Sequence, residues 1–260
     1  MSAFLIIGAG LSAGCMRTSY NAATQHQELT ITSTSREVEM GRKLAARVRS
    51  ELTVLADEPA QDRVRNITAR LAAVCDRQEL VYQATVVKDA ETNAFSLPGG
   101  YIFVNEGLVK KAGDDDELAA VLAHEMAHVA ARHAVKRFES GLGAQLLQLA
   151  TMAAARRGAS VQGVGTAIHA AQLAYARQDE LDADKLGVRY MKAAGFDPAG
   201  MLRFLKKLHQ LDQDRVRYLP RGVVRPYYGT THPFATDRIR AVKEALYGVA
   251  DYIDYLNTPQ

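Results

Sequence analysis

The chain has 260 residues, 48% hydrophobic and 23% charged, a globular composition with room for one large domain or two small ones. A net charge of +3 is too mild to point to nucleic acid, and two cysteines, Cys15 and Cys75, are too few for a disulfide scaffold. There is no Gly-rich phosphate loop, no Cys-x-x-Cys pair and no apolar run of 18 residues.

Residues 3–13 form an apolar run too short to span a bilayer as a helix but long enough for the core of a signal peptide. It ends in Leu11-Ser12-Ala13-Gly14-Cys15, small residues before a cysteine that resemble a bacterial lipobox, with Ser12 where leucine is usual. On this reading residues 1–15 are a signal peptide with its lipobox, and Cys15 is acylated as the first mature residue. Residues 16–35, rich in Thr, Ser, Gln and Asn and without periodicity, read as a flexible tether. Met16 after the cysteine, rather than Asp, favours the outer membrane under the usual lipoprotein-sorting rule.

A folded region of 36–260 follows. Val38, Leu44, Val48, Leu52 and Leu55 give an amphipathic helix over 37–55, which Pro59 ends. A second helix over 60–77 carries Val64, Ile67, Leu71 and Val74 at helical spacing. Residues 81–87 are β-branched and alternating; 93–97 and 101–104 are two further strands joined by the turn Pro98-Gly99-Gly100. Together they predict a small antiparallel sheet with an edge strand able to hold an extended peptide.

Next come Asp114 as a helix cap, an acidic first turn and His124-Glu125-Met126-Ala127-His128. Histidines at i and i+4 share one helix face, so both imidazoles can bind one Zn²⁺ and Glu125 can reach a water on that metal. His133 lies about 140° round a continuous helix from His128 and is expected on the surface or at the helix end. Residues 142–155 predict a packed helix, 158–165 a Gly-rich loop, and 166–193 a long helix stopped at Gly195-Phe196-Asp197-Pro198. Amphipathic helices over 199–211 and 235–247 flank residues 215–225, where Arg215, Arg217, Arg221 and Arg225 read as a solvated loop or as a basic rim.

A catalytic zinc needs a third protein ligand. Glu180 and Asp184 are one turn apart on the long helix, so one carboxylate can bind metal while the next accepts the free ring N–H of a bound histidine. An exposed acidic face pairing with Arg177 and Lys185 fits the same spacing.

The motifs Asn93-Ala94-Phe95, Pro98-Gly99-Gly100, the 116–128 segment, Tyr175 to Asp184, and His232-Pro233 with Arg238-Ile239 occur in an order that resembles the HtpX-like and CAAX-prenyl-protease family of gluzincin zinc endopeptidases, in its bacterial lipoprotein form. The resemblance covers residues 35–240 and departs from the family pattern at Ala176 and Asp182. It implies an α+β, mainly α metallopeptidase domain in which the HExxH helix packs on an ExxxD helix. It implies one zinc per chain on His124, His128 and Glu180, with Glu125 catalytic, Asp184 bonded to a ligand histidine, and Asn93 and Ala94 on the substrate-facing edge strand. His232 or Arg238 is the expected further donor to developing charge on the substrate, and His232 could alternatively fill the metal's open position. The function expected is hydrolysis of peptide bonds in unfolded or misassembled cell-envelope proteins by a zinc-bound water that Glu125 activates. The protein is expected in the periplasm, held to a membrane by its lipid anchor, with outer-membrane assembly machinery as a partner. The competing class is a non-cleaving chaperone or assembly factor of the same fold. An intact Glu125 argues against it, because a structural metal needs no base beside it.

Overall fold

The computed structural model describes residues 17–21, 23–140, 175–218, 231–233 and 235–248. The lipobox with Cys15, the helix expected over 142–155, the loop over 158–165, the first part of the helix expected over 166–193, and the loop after residue 218 lie outside the described residues. The architecture is mainly helical, with a three-stranded sheet and a separate two-stranded hairpin.

Helix α1 (Thr34–Glu51) is capped by the Ser33 hydroxyl, which accepts from Arg36 N–H. Helix α2 (Glu58–Ala72) is capped by Asp57 and has Pro59 in its first turn. The sheet holds β3 (Gln83–Val87), β4 (Ala94–Leu97) and β5 (Tyr101–Asn105) in the order β3-β5-β4. The β4–β5 hairpin is antiparallel, as expected, but β3 runs parallel to β5, so the sheet is mixed. Residues 88–93 carry the chain from β3 past the end of β5's position, and β5 then fills the gap between its two neighbours. Ile102 and Val104 face α2 and the central helix, whereas Phe95, Leu97, Tyr101 and Phe103 pack with Ala45 and Val48 of α1. Both faces of the sheet are therefore buried, and Phe95 stacks on Phe103 at 5.3 Å. At Gly41 a Cβ would sit 1.8 Å from Pro98 O, so glycine is what lets α1 lie directly on the turn before β5.

After the short α3 (Glu106–Lys111), helix α4 (Asp115–Ala130) runs through the middle of the molecule. Asp114 caps it, accepting from Glu117 N–H at 2.8 Å. Every residue from Glu117 to Ala130 is buried, which suits a helix that is apolar on nearly all sides. Helix α6 (Arg177–Ala193) lies against it through Gly187, where a Cβ would come 3.4 Å from His124 N. The long helix expected over 166–193 is corrected here: Ala176 is extended (φ −67°, ψ 152°), so the described helix begins at Arg177. Helix α7 (Ala199–Tyr218) runs on past residue 211, where the sequence suggested an end, and α8 (Ala235–Tyr247) packs against α6 and α7.

Helix α5 (His133–Glu139) turns away from α4 at Arg132, which takes a left-handed conformation (φ 58°). It carries the hairpin of β1 (Arg17–Asn21) and β2 (His26–Thr30). The expected tether is therefore structured over most of 17–30. Its inner face is polar: Glu28 pairs with Lys136 at 2.7 Å, and Glu139 accepts from Thr30, Ile31 and Thr32. Hydrophobic periodicity cannot reveal a strand whose docking face is polar.

Glu37 is fully buried and joins Arg77 (2.8 Å) to Arg132 (3.0 Å), tying α1 to the end of α4. Glu37→Ala should lower the unfolding free energy in urea by about 3–5 kcal/mol, because the buried Arg77 is left with only the more exposed Glu79 and the partly buried Arg132 loses its carboxylate. Glu39→Ala, which removes an exposed, solvent-screened partner of Arg42 and Lys43, should leave it nearly unchanged.

Candidate metal centre

The HExxH segment lies on α4 as expected, with His124 and His128 one turn apart and their rings 4.6 Å from each other, edge to face. Glu180, in the first turn of α6, brings Oε2 to 3.5 Å from His124 Nε2 and Oε1 to 3.5 Å from His128 Nε2. His232, just before α8, brings Nδ1 to 3.3 Å from His124 Nε2 and 3.1 Å from Glu180 Oε1. The four donor atoms lie within 4.8 Å of one another, and all four residues are buried. Donors around a tetrahedral ion bound at 2.0–2.1 Å are about 3.3 Å apart, and the contacts among the histidine nitrogens and the two Glu180 oxygens that run from 3.0 to 3.5 Å lie close to that value.

The protonation pattern agrees. His124 Nδ1 donates to Asp184 Oδ1 at 2.8 Å, which turns the lone pair of its Nε2 inward. Burial and the neighbouring His124 push His128 down to about 4, so it is neutral. Two imidazole lone pairs 3.0 Å apart and a carboxylate are a donor set that a soft-to-borderline divalent cation satisfies. Zinc fits these residues.

Glu125 is fully buried beside this cluster. Its Oε2 accepts no hydrogen bond, and Oε1 lies 3.2 Å from His232 Nε2 without hydrogen-bond alignment. Burial works to raise its pKa, but His232, His128 and His124 outweigh this and hold it at about 2. For His232, burial works downward, and Glu180 and Glu125 outweigh it to raise the ring to about 9. Glu180, buried but facing His232 and Arg238, stays well below the usual carboxylate range. Asp184 is likewise opposed by burial and held at about 2 by Arg238 and His124.

Arg238 is corrected. Expected as a substrate contact, it is 1% exposed and lies behind the donors. Its Nε and Nη2 grip both oxygens of Asp184 at 2.8 Å, and Nη1 lies 2.8 Å from Glu180 Oε2. It holds two carboxylates, one in the donor cluster and one bonded to it. Asn93 and Ala94 sit where β4 begins, at the sheet edge, and both are buried; the Asn93 side-chain Oδ1 accepts from Ala94 N–H and from the Thr231 hydroxyl.

Two residues take places at the site that the sequence reading did not give them. Tyr175 stacks flat on His128 (3.8 Å between ring centres, 15°), with Arg137 over its other side at 4.0 Å. His133, expected at the surface, is buried, with Nδ1 2.8 Å from His128 Nδ1. The 140° reckoning assumes one continuous helix; the left-handed Arg132 breaks that helix and folds His133 back. Left-handed arginine has no sequence signature.

Residues 58–246 match Peptidase family M48. The chain is similar to the beta-barrel assembly-enhancing protease of Escherichia coli (strain K12), 26% identical over 218 residues that make up 80% of this chain and 43% of that protein. It is also similar to the putative beta-barrel assembly-enhancing protease of Vibrio cholerae, 30% identical over 76% of this chain and 41% of that protein. The mitochondrial metalloendopeptidase OMA1 of Schizosaccharomyces pombe is 31% identical over 70% of this chain and 52% of that protein. The chain thus spans about half, or less, of the length of these curated relatives. With the match covering most of its length and a zinc-type donor set at its centre, the chain belongs to peptidase family M48, a family of zinc metallopeptidases.

Proposed function

We propose that the chain is a zinc endopeptidase of the bacterial cell envelope that hydrolyses peptide bonds in unfolded or misassembled proteins. The observation that carries this reading is Glu125, a buried carboxylate with an oxygen left without a hydrogen bond beside the donor cluster. A purely structural metal site has no use for such a group, which weighs against a non-cleaving assembly factor. Support for a polypeptide substrate comes from the place of β4 at the edge of the three-stranded sheet, the position to which an extended chain could add. The envelope setting is supported by relatives named for β-barrel assembly and by the lipobox-like segment ending in Cys15, which would anchor the protein to the periplasmic face of the outer membrane.

His124, His128 and Glu180 hold the metal in this reading, and Asp184 with Arg238 keeps His124 and Glu180 in place. Zinc, when bound, supplies a Lewis acid for a peptide carbonyl and lowers the pKa of water toward about 7. Glu125 takes the proton from the attacking water and delivers it to the leaving amine through the same oxygen, a role that requires the ionised state its neighbours maintain. Asn93 and Ala94 pair with the substrate backbone.

His232 has a separate role in this reading. Glu180 and Glu125 favour a protonated ring; once a metal displaced the Nδ1 proton, that nitrogen would complete the four-donor group and compete with a substrate carbonyl for one place. Thr231 next to it covers Asn93. One displacement of residues 231–232 would therefore free both the fourth position and the start of the edge strand.

Glu125→Gln should keep about one zinc per chain and lose casein cleavage by roughly 10²–10⁴-fold; equal cleavage by both proteins would end the hydrolase mechanism. His232→Ala should raise casein cleavage severalfold, and a fall instead would make His232 a participant in catalysis rather than a gate. Metabolic labelling with a radioactive fatty acid should mark the protein expressed from its own start codon in a Gram-negative host and fail to mark Cys15→Ala. Equal labelling of the two would remove Cys15 as the anchor.

A further inference from the structure

The two histidines of the HExxH segment are held from behind by different chemistry. His124 has a carboxylate, Asp184, at 2.8 Å. His128 has another imidazole, His133, at the same distance. His133 is 3% exposed, and its second nitrogen, Nε2, faces Asp179 Oδ1 at 3.6 Å. A hydrophobic ring would serve if packing were its only task. A histidine with both nitrogens turned toward polar atoms is placed for hydrogen bonding.

We infer that His133 is a positioning residue for the metal centre, which fixes the tautomer and ring orientation of His128 by accepting its Nδ1 proton, with Asp179 fixing His133 in turn. The proton count follows from the two short contacts and rests on the reading of His128 as a ligand. A metal on His128 Nε2 leaves that ring one proton, on Nδ1. Two Nδ1 atoms at 2.8 Å share one proton, so His133 Nδ1 must be the acceptor. The proton of neutral His133 then sits on Nε2, toward Asp179. Tyr175, flat against His128, limits the ring to motion in its own plane, and His133 sets the angle within that plane.

The turn at Arg132 makes the arrangement possible. In its left-handed conformation it reverses the chain after α4, and its guanidinium is fastened to Glu37 and to Thr30. Without that reversal His133 would point away from His128.

The test is zinc affinity, measured by competition with a chromophoric chelator on the full chain. The proteins are wild type, His133→Ala, His133→Asn and His128→Ala, each also melted in metal-free form. The asparagine carbonyl oxygen can occupy the place of Nδ1 and accept the same proton. His133→Ala should bind zinc about 10–100-fold more weakly, and His133→Asn should recover most of that loss, with both metal-free variants melting alike. Zinc affinity of His133→Ala within twofold of wild type overturns the inference, provided that His128→Ala loses zinc. Equal weakening in the alanine and asparagine variants also overturns it, because packing alone would then explain the residue. If His128→Ala binds zinc as wild type does, the ligand assignment itself fails, and the inference falls with it.

Discussion

Converging donors in a dry interior are the constraint from which the rest of the structure follows. A carboxylate and three imidazoles turned toward one point cost several kcal/mol to bury unless a cation balances them and outer groups pair with the remaining atoms. That requirement explains the position of α4. The helix that carries two of these donors is enclosed on all sides, and its run of alanines and leucines lets α2, α6, α7 and the sheet approach closely. It also explains Arg238, a fully buried guanidinium that would be prohibitive alone and is stabilised by two carboxylates. Metal, carboxylates and arginine form one balanced charge system, in which no member could be deleted without stranding the others.

The divided support of the two histidines adds an asymmetry. His124 leans on a charged group that is itself neutralised by arginine, whereas His128 leans on a neutral ring and a stacked tyrosine. The side of the centre built from α6 and α8 is held electrostatically. The side built from α5 and Tyr175 is held by shape and by a single shared proton. Residues 231–232 reach the centre between these two sides, through Thr231 O, which accepts from Tyr175 N–H.

What was legible in the sequence depended on whether the signal was local. The cap at Asp114, the i, i+4 histidines and the turn at Pro98-Gly99-Gly100 are each written within a few residues, and each stands where it was read, whereas the caps at Ser33 and Asp57 emerge only from the structure. The Glu180–Asp184 pair was legible as a shared face but not as facing the histidines, since spacing does not say which helix lies opposite. His133 and Arg238 were misread because their surroundings come from remote segments: a backbone reversal at Arg132 in one case, and carboxylates more than fifty residues away in the other. The parallel pairing of β3 with β5 was hidden for a similar reason, because strand order depends on where residues 88–93 lead rather than on the strands themselves.

The hairpin at the start of the described chain is built inside out. Cross-strand partners share a face, so Thr18, Tyr20, Gln27 and Leu29 form one side, and Tyr20 and Leu29 are 59% and 64% exposed. The other side meets α5 through Glu28, Thr30 and the carboxylate of Glu139. Its two faces therefore answer to ionic strength in opposite senses. Added salt screens the Glu28–Lys136 pair that holds the hairpin down, while a strongly excluded salt such as sulfate raises the cost of leaving Tyr20 and Leu29 in water. Concentrated salt, which tightens an ordinary apolar core, thus loosens this element from the body and makes its outer surface more adhesive.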